Sequence, residues 1–215
     1  MRGLLREFGF AFPAGADKVR PATLAALEDG DNDIPMALRH ALAGLLDQIA
    51  ACQEAMAAIE KQLADIAKLD TRCQRLMAAS GVGLITATAL SAGIGDFARF
   101  PSGRHFASAL GLTPREYSSG GTRKLGRITK QGDVFLRTLL IHGARSALIV
   151  AATARKRGQP LDRTQQWALA LAERKGHNKA AVALANKVAR RLWASEHHGT
   201  SFDPEHISRR EPRAA

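Results

Sequence analysis

From Leu38 to Ile66 apolar side chains recur at alternating spacings of four and three: Leu38, Leu42, Leu45, Ile49, Cys52, Met56, Ile59, Leu63 and Ile66. That rhythm is a heptad seam, with Leu42, Ile49, Met56 and Leu63 at a and the others at d. No proline interrupts it, so it predicts one helix roughly 45–50 Å long at 1.5 Å per residue. The flanking e and g positions are mostly glutamine and alanine, with Leu46, rather than opposed charges. They specify no particular partner. The seam is expected to pair with itself in a dimer or with a helix supplied elsewhere; packing onto its own domain is the other reading.

The rest of the chain points the same way. Apolar residues make up 46% of the 215, yet aromatics only 5%, and alanine is abundant. This composition favours packed helices over sheets. The expected fold is all-α: an N-terminal stub or linker (1–37) closed by the breaker "DGDNDIP", a coiled-coil dimerisation helix (38–70), a compact helical domain (71–198) and a disordered tail (199–215). The opening "MRGLLREFGF" lacks the apolar core of a signal peptide, and no uninterrupted apolar run reaches the roughly 20 residues of a membrane span. Cys52 and Cys73 have no metal-ligand or redox spacing and read as reduced thiols. The expected location is therefore cytoplasmic, away from membranes.

Charge is divided unevenly. Residues 1–70 hold 7 Lys and Arg against 11 Asp and Glu, whereas residues 71–215 hold 24 against 9. A domain that basic is expected to meet a polyanion, because each cation set near a phosphate releases condensed counterions. The alternative is a helical interaction module whose charge is incidental.

Within the basic part, "LMAASGVGLITATALSAGIG" (76–95) has the outline of a helix-hairpin-helix element. An apolar helix breaks at Ser80-Gly81-Val82-Gly83 and another begins near Leu84. Such glycines let a backbone approach a phosphate while N–H groups opening the second helix point at it, so Ser80, Gly81 and Gly83 are candidate nucleic-acid contacts. A plain helical turn accounts for the same residues.

The stretch "REYSSGGTRKLGRITKQGD" (115–133) gathers five cations, four glycines, four aliphatic hydroxyls and the chain's single tyrosine. Three readings compete. A phosphate-binding loop would use Arg115, Arg123, Lys124, Arg127 and Lys130. A covalent recombinase would add a nucleophile (Ser118, Ser119 or Tyr117) beside arginines that neutralise the developing charge. A Walker-type nucleotide loop fails, since G-x-x-x-x-G-K-[ST] is absent. The nine acids after residue 70 are scattered singly, so no metal site and no bound cofactor is expected in this chain alone. Ser102 and Asp133 are candidate N-caps of helices on either side.

Residues 80–145, with "SGVG", "GLTPREYSSGG" and "LGRITKQGD" in order, and the later "NKAAVALANK" resemble the C-terminal transposase domain of the insertion-sequence family numbered one hundred and ten. These are bridge-RNA-guided recombinases that combine a DEDD acidic site with a serine nucleophile. The resemblance implies that Ser119, directly before Gly120, attacks the scissile phosphodiester, with Ser118 as the fallback. It further implies that the five cations hold DNA or guide-RNA phosphates and that the long helix dimerises. The resemblance implies that Mg²⁺ comes only with a RuvC-like DEDD domain preceding the linker, and Met1 is expected to fall where that linker would start, with the acidic domain outside this sequence. The expected function is the DNA-binding, serine-bearing C-terminal part of an insertion-sequence transposase, inactive without the acidic domain. The alternative is a non-catalytic nucleic-acid-binding relic or regulator of a transposable element.

Overall fold

The computed structural model describes residues 1–203 and Glu205. The chain is mostly helical and divides into two compact units, Met1–Lys61 and one beginning at Gln62. In the first unit α1 (Arg2–Arg6), α2 (Val19–Glu28) and the start of α3 (Met36–Leu69) enclose a small core of Leu5, Ala26, Ile34 and Leu42. Arg39 closes the turn before α3 by donating to the carbonyls of Leu27, Asp29 and Ile34.

The heptad sequence does form one uninterrupted 34-residue helix, α3. Along its middle the seam is open to solvent. Ile49, Cys52, Met56, Ile59 and Ile66 are all exposed, and Leu63 is half-buried. In the second unit the core takes up Ala67, one position off the seam.

The second unit is built on α9 (His177–His198), which packs against α4 (Thr71–Met77), α6 (Gly103–Ala109), α7 (Val134–Lys156) and α8 (Arg163–Lys175). α5 (Leu84–Ile94) packs on α4 and α7. Leu90, Phe106, Leu110, Leu140, Leu148 and Leu192 are at most 2% exposed. Each such side chain contributes about 1.5–3 kcal/mol of transfer free energy. Phe106 sits between Phe97 and Phe100, with ring centroids 5.2 Å apart in both pairs. The Trp193 indole N–H donates to the carbonyls of Phe97 and Phe100 at 3.1 and 3.0 Å.

Helix starts follow the local chemistry. Asp70, Ser102, Asp133 and Asp162 accept from backbone N–H groups at the first turns of α4, α6, α7 and α8, and Asp162 forms a capping box with Gln165. Among the described residues α7 is the one helix with the length and hydropathy of a bilayer span. Arg137 and Arg145 interrupt it, however, and Leu136, Leu140, Ala144, Leu148 and Ala151 are buried in the core. Of the expected tail, Phe202 is half-buried against the core and lies under the Arg191 guanidinium. Positions 204 and 206–215 lie outside the described residues.

Candidate nucleic-acid interface

The expected long loop is a β-hairpin. Strands β1 (Pro114–Glu116) and β2 (Leu125–Ile128) pair antiparallel, Pro114 with Ile128 and Glu116 with Leu125, with a bulge between. Above them a bridge joins Ser119 to Thr122 through hydrogen bonds of 3.3 and 3.0 Å. Gly120 and Gly121 form the two-residue tip with φ of 57° and 76°. Positive φ at both central residues is what a twist-matched hairpin turn requires, and glycine adopts it without steric cost. Gly126 serves otherwise: a Cβ there would lie 2.9 Å from the Tyr117 ring, which crosses over it.

The root is held by backbone contacts too close for any side chain. A Cβ on Gly111 would meet the Gln131 carbonyl oxygen at 2.1 Å, and one on Gly132 the Ala109 carbonyl oxygen at 1.8 Å. Lys130 has φ of 58°, a conformation that costs a non-glycine residue about 1–3 kcal/mol. Its N–H donates to Gly111 at 3.1 Å. Asn186 of α9 donates to the Leu112 carbonyl at 3.1 Å, and the buried Arg137 donates to the Leu110 carbonyl at 3.2 Å. Neither Asn186 nor Arg137 stands out in the sequence, because their partners are distant backbone carbonyls, which leave no local spacing signal.

From Pro114 to Arg127 every residue is exposed. The structure therefore brings Arg115, Arg123, Lys124, Arg127 and Lys130 onto one projecting element with Ser118 and Ser119. Arg123 approaches Glu116 only at 4.0 Å, an exposed pair of little energetic weight. Arg115, Lys124, Arg127 and Lys130 have no carboxylate partner among the described residues. The two serines differ. Ser118 Oγ donates to Glu116 Oε1 at 2.6 Å and accepts from the Lys124 N–H at 3.1 Å. Alternation along an extended strand puts Glu116 and Ser118 on one face. Ser119 Oγ makes no hydrogen bond with any described residue, so its hydroxyl is uncommitted at the tip. No group of three His, Cys, Asp or Glu side chains is arranged as a metal site among the described residues.

The Ser80–Gly83 turn is separate from the hairpin. Gly81, at φ 86°, is pressed against Gly143: a Cβ on Gly81 would lie 2.6 Å from the Gly143 carbonyl oxygen, and one on Gly143 would lie 1.8 Å from the Gly81 carbonyl oxygen. Gly143 lies roughly 14 Å along α7 from its N-terminus. The close backbone approach made by Gly81 is thus internal, to α7. Gly83 caps α5, a Cβ added to it would meet nothing within 4 Å, and Ser80 is exposed.

Known proteins resemble this chain along most of its length. Residues 73–159 match the model of the family described as transposase IS116/IS110/IS902. A protein of Pseudomonas aeruginosa named "Probable family 20 transposase" is 41% identical over 208 residues, covering 95% of this chain and 59% of that protein. The transposase for insertion sequence element IS1111A of Coxiella burnetii is 37% identical over 194 residues, covering 90% and 52%. The transposase for insertion sequence element IS1328 of Yersinia enterocolitica is 33% identical over 202 residues, covering 94% and 58%. The chain spans between 52% and 59% of the length of these three relatives. Through residues 73–159 and the relatives that align along most of its length, the chain belongs to the transposase IS116/IS110/IS902 family.

Proposed function

We propose that this chain is the DNA-binding, serine-bearing part of an insertion-sequence transposase acting on DNA in the cytoplasm, and that the 114–128 hairpin is its working element. The observation that carries this reading is the conjunction at the hairpin tip: an uncommitted Ser119 hydroxyl on a glycine turn, beside cations of which Arg123 alone has a carboxylate within 4.0 Å among the described residues. Arg115, Arg123, Lys124, Arg127 and Lys130 bind the phosphates flanking the scissile one. Ser119 Oγ attacks phosphorus; the Oγ–P bond forms and the P–O3′ bond breaks. The hydroxyl proton ends on the departing 3′-oxygen, leaving DNA joined through its 5′-phosphate to the serine. Glu116 already holds Ser118, which suits Ser118 to a positioning role. The exposed seam of α3 supports pairing with a second copy, and Gly83 with the α5 N-terminus supports a further phosphate contact. A structured guide RNA selects the target, and Mg²⁺ chemistry belongs to a DEDD domain; the donor set described above fits no such ion, so no step here passes through one.

The test is covalent trapping on nicked element-end DNA with guide RNA and Mg²⁺, with and without a DEDD domain, read on a denaturing gel. A protein–DNA adduct that disappears in Ser119→Ala is the expected result; an adduct surviving that change and disappearing in Ser118→Ala would move the nucleophile by one residue. A second reading, a non-catalytic nucleic-acid-binding relic or regulator, is favoured by the lack, among the described residues, of a base hydrogen-bonded to Ser119. It predicts salt-sensitive binding with no adduct under either condition.

A further inference from the structure

Beside the hairpin root, α6, α8 and α9 leave an open groove of about 1410 Å³, with Pro114 and Ile128 forming part of its wall. That exceeds the roughly 300–1,000 Å³ typical of clefts that enclose one small ligand, and suits a segment of polymer. Arg191 lines it, and so do Arg104, Arg163, Lys179, Lys187 and Arg190; no aspartate or glutamate does. None of the latter five is in an ion pair among the described residues. Burial, reinforced by the neighbouring Arg191 charge, pushes the Lys187 ammonium below its ordinary value, so an anion placed here would relieve a repulsion already present.

The groove also holds an aromatic side chain that packs against the core on one side and stays partly open on the other. Trp167 is half-buried in its wall, with Lys187 Nζ 4.2 Å from the ring centroid. Its indole N–H has no hydrogen-bond partner among the described residues, in contrast to Trp193, whose N–H is taken by two carbonyls. Cations held in no ion pair around a part-exposed indole match what an unpaired strand offers, alternating phosphates and exposed base faces. A duplex keeps its base faces stacked inside and cannot present one. Pro114 and Ile128 belong both to the hairpin root and to the groove wall, so the two surfaces are contiguous.

We infer that this groove binds single-stranded DNA, with phosphates against Arg163, Lys179 and Arg190 and a base against Trp167. The identity of the sugar rests on the DNA reading of the hairpin; the groove's preference for an unpaired strand does not.

The test uses the full chain with a dT20 oligonucleotide, a duplex of equal length and rU20, read by tryptophan fluorescence and by anisotropy. The dT20 strand should quench tryptophan emission and the duplex should not. Trp167→Phe should abolish that quenching, because Trp193, although it also lines the groove, is 9% exposed with its N–H taken by two carbonyls, while keeping affinity within about 5-fold. Trp167→Ala should weaken dT20 binding by about 5- to 150-fold, the range expected for removing one base–aromatic stack. If Trp167→Ala does not fold, loss of quenching in Trp167→Phe decides. Undiminished dT20 affinity in a folded Trp167→Ala protein, quenching that survives Trp167→Phe, or equal quenching by the duplex overturns the proposal; tighter binding of rU20 overturns the assignment to DNA. An Arg123→Gln/Lys124→Gln variant separates the two surfaces: if it leaves duplex binding intact while Trp167→Ala no longer holds dT20, the hairpin reading falls and the groove stands.

Discussion

Substituting Gly143 by alanine sets two effects of opposite sign against each other. Gly143 lies inside α7, where glycine costs about 1 kcal/mol relative to alanine, so helix propensity alone favours the change. Against that, the added methyl would stand 1.8 Å from the Gly81 carbonyl oxygen and 2.9 Å from its carbon. Both are backbone atoms, so no rotamer change relieves the overlap; α7 and the 80–83 turn must separate by more than an ångström. Overpacking of this kind costs about 1–3 kcal/mol when side chains can adjust, and more when they cannot. The net expectation is a loss of about 2–4 kcal/mol, or a melting temperature lower by roughly 5–15 °C. Gly93 supplies the control. It too lies inside a helix, α5, but its methyl would sit 3.6 Å from Leu136 Cδ1, ordinary van der Waals contact. Gly93→Ala should therefore stabilise by up to about 1 kcal/mol. Urea titrations followed by circular dichroism at 222 nm would measure both. Gly143→Ala matching or exceeding the parent would refute the close-packing of α7 on the turn, and would return Gly81 to the role of a turn kept slender for an external ligand.

Other perturbations test the site and its supports. Gly83→Ala should leave the urea midpoint within about 0.5 kcal/mol of the parent, since the added Cβ would meet nothing within 4 Å; if the α5 N-terminus binds phosphate, duplex affinity should fall, read by anisotropy. Hydrogen bonds from Ser91 and then Cys73 hold the Asp70 carboxyl down at about 2. Because that value lies below the unfolded one, its stabilisation is complete above about pH 4 and disappears as pH falls through about 2. Asp70→Asn should flatten that acid limb of the urea midpoint. Glu196, with its side chain 4% exposed, is gripped by Arg75 at 2.9 and 3.0 Å and by Arg72 at 3.5 Å. Glu196→Ala should cost about 2 kcal/mol in the same assay by leaving two arginines facing each other. Replacing Arg123 and Lys124 by glutamine should reduce the slope of log affinity for duplex DNA against log salt by about one for each phosphate no longer neutralised.

Helix starts are legible in the sequence because capping is a local matter: Ser102 and Asp133 are read from the residues just beyond them, and the structure has both in place. The break at Ser80–Gly83 is legible for the same reason, though not what it packs on. Gly81 looks outward-facing in sequence, and its partner Gly143 lies in another helix, where nothing distinguishes a glycine needed for close approach from one merely tolerated. The 115–133 stretch reads as a loop because its hydroxyls, cations and glycines mask the short alternation of a hairpin with no buried face. The tip signal is present in the Gly120–Gly121 pair. The heptad seam gives the length of α3 correctly, but periodicity alone does not say what covers a stripe.

The hairpin side chains from Pro114 to Arg127 are exposed throughout, while the root is fixed by glycines, a carbonyl-bound asparagine and a buried arginine. The core has almost no stake in what the arm displays. Away from Gly120, Gly121 and Gly126, substitutions there can alter charge, reach or reactivity with little penalty in folding, so a lineage can change what the arm touches without first finding compensating changes in the helices. Near Gly111, Gly132 and Asn186 the opposite holds, and variation should stop abruptly where the arm joins the body.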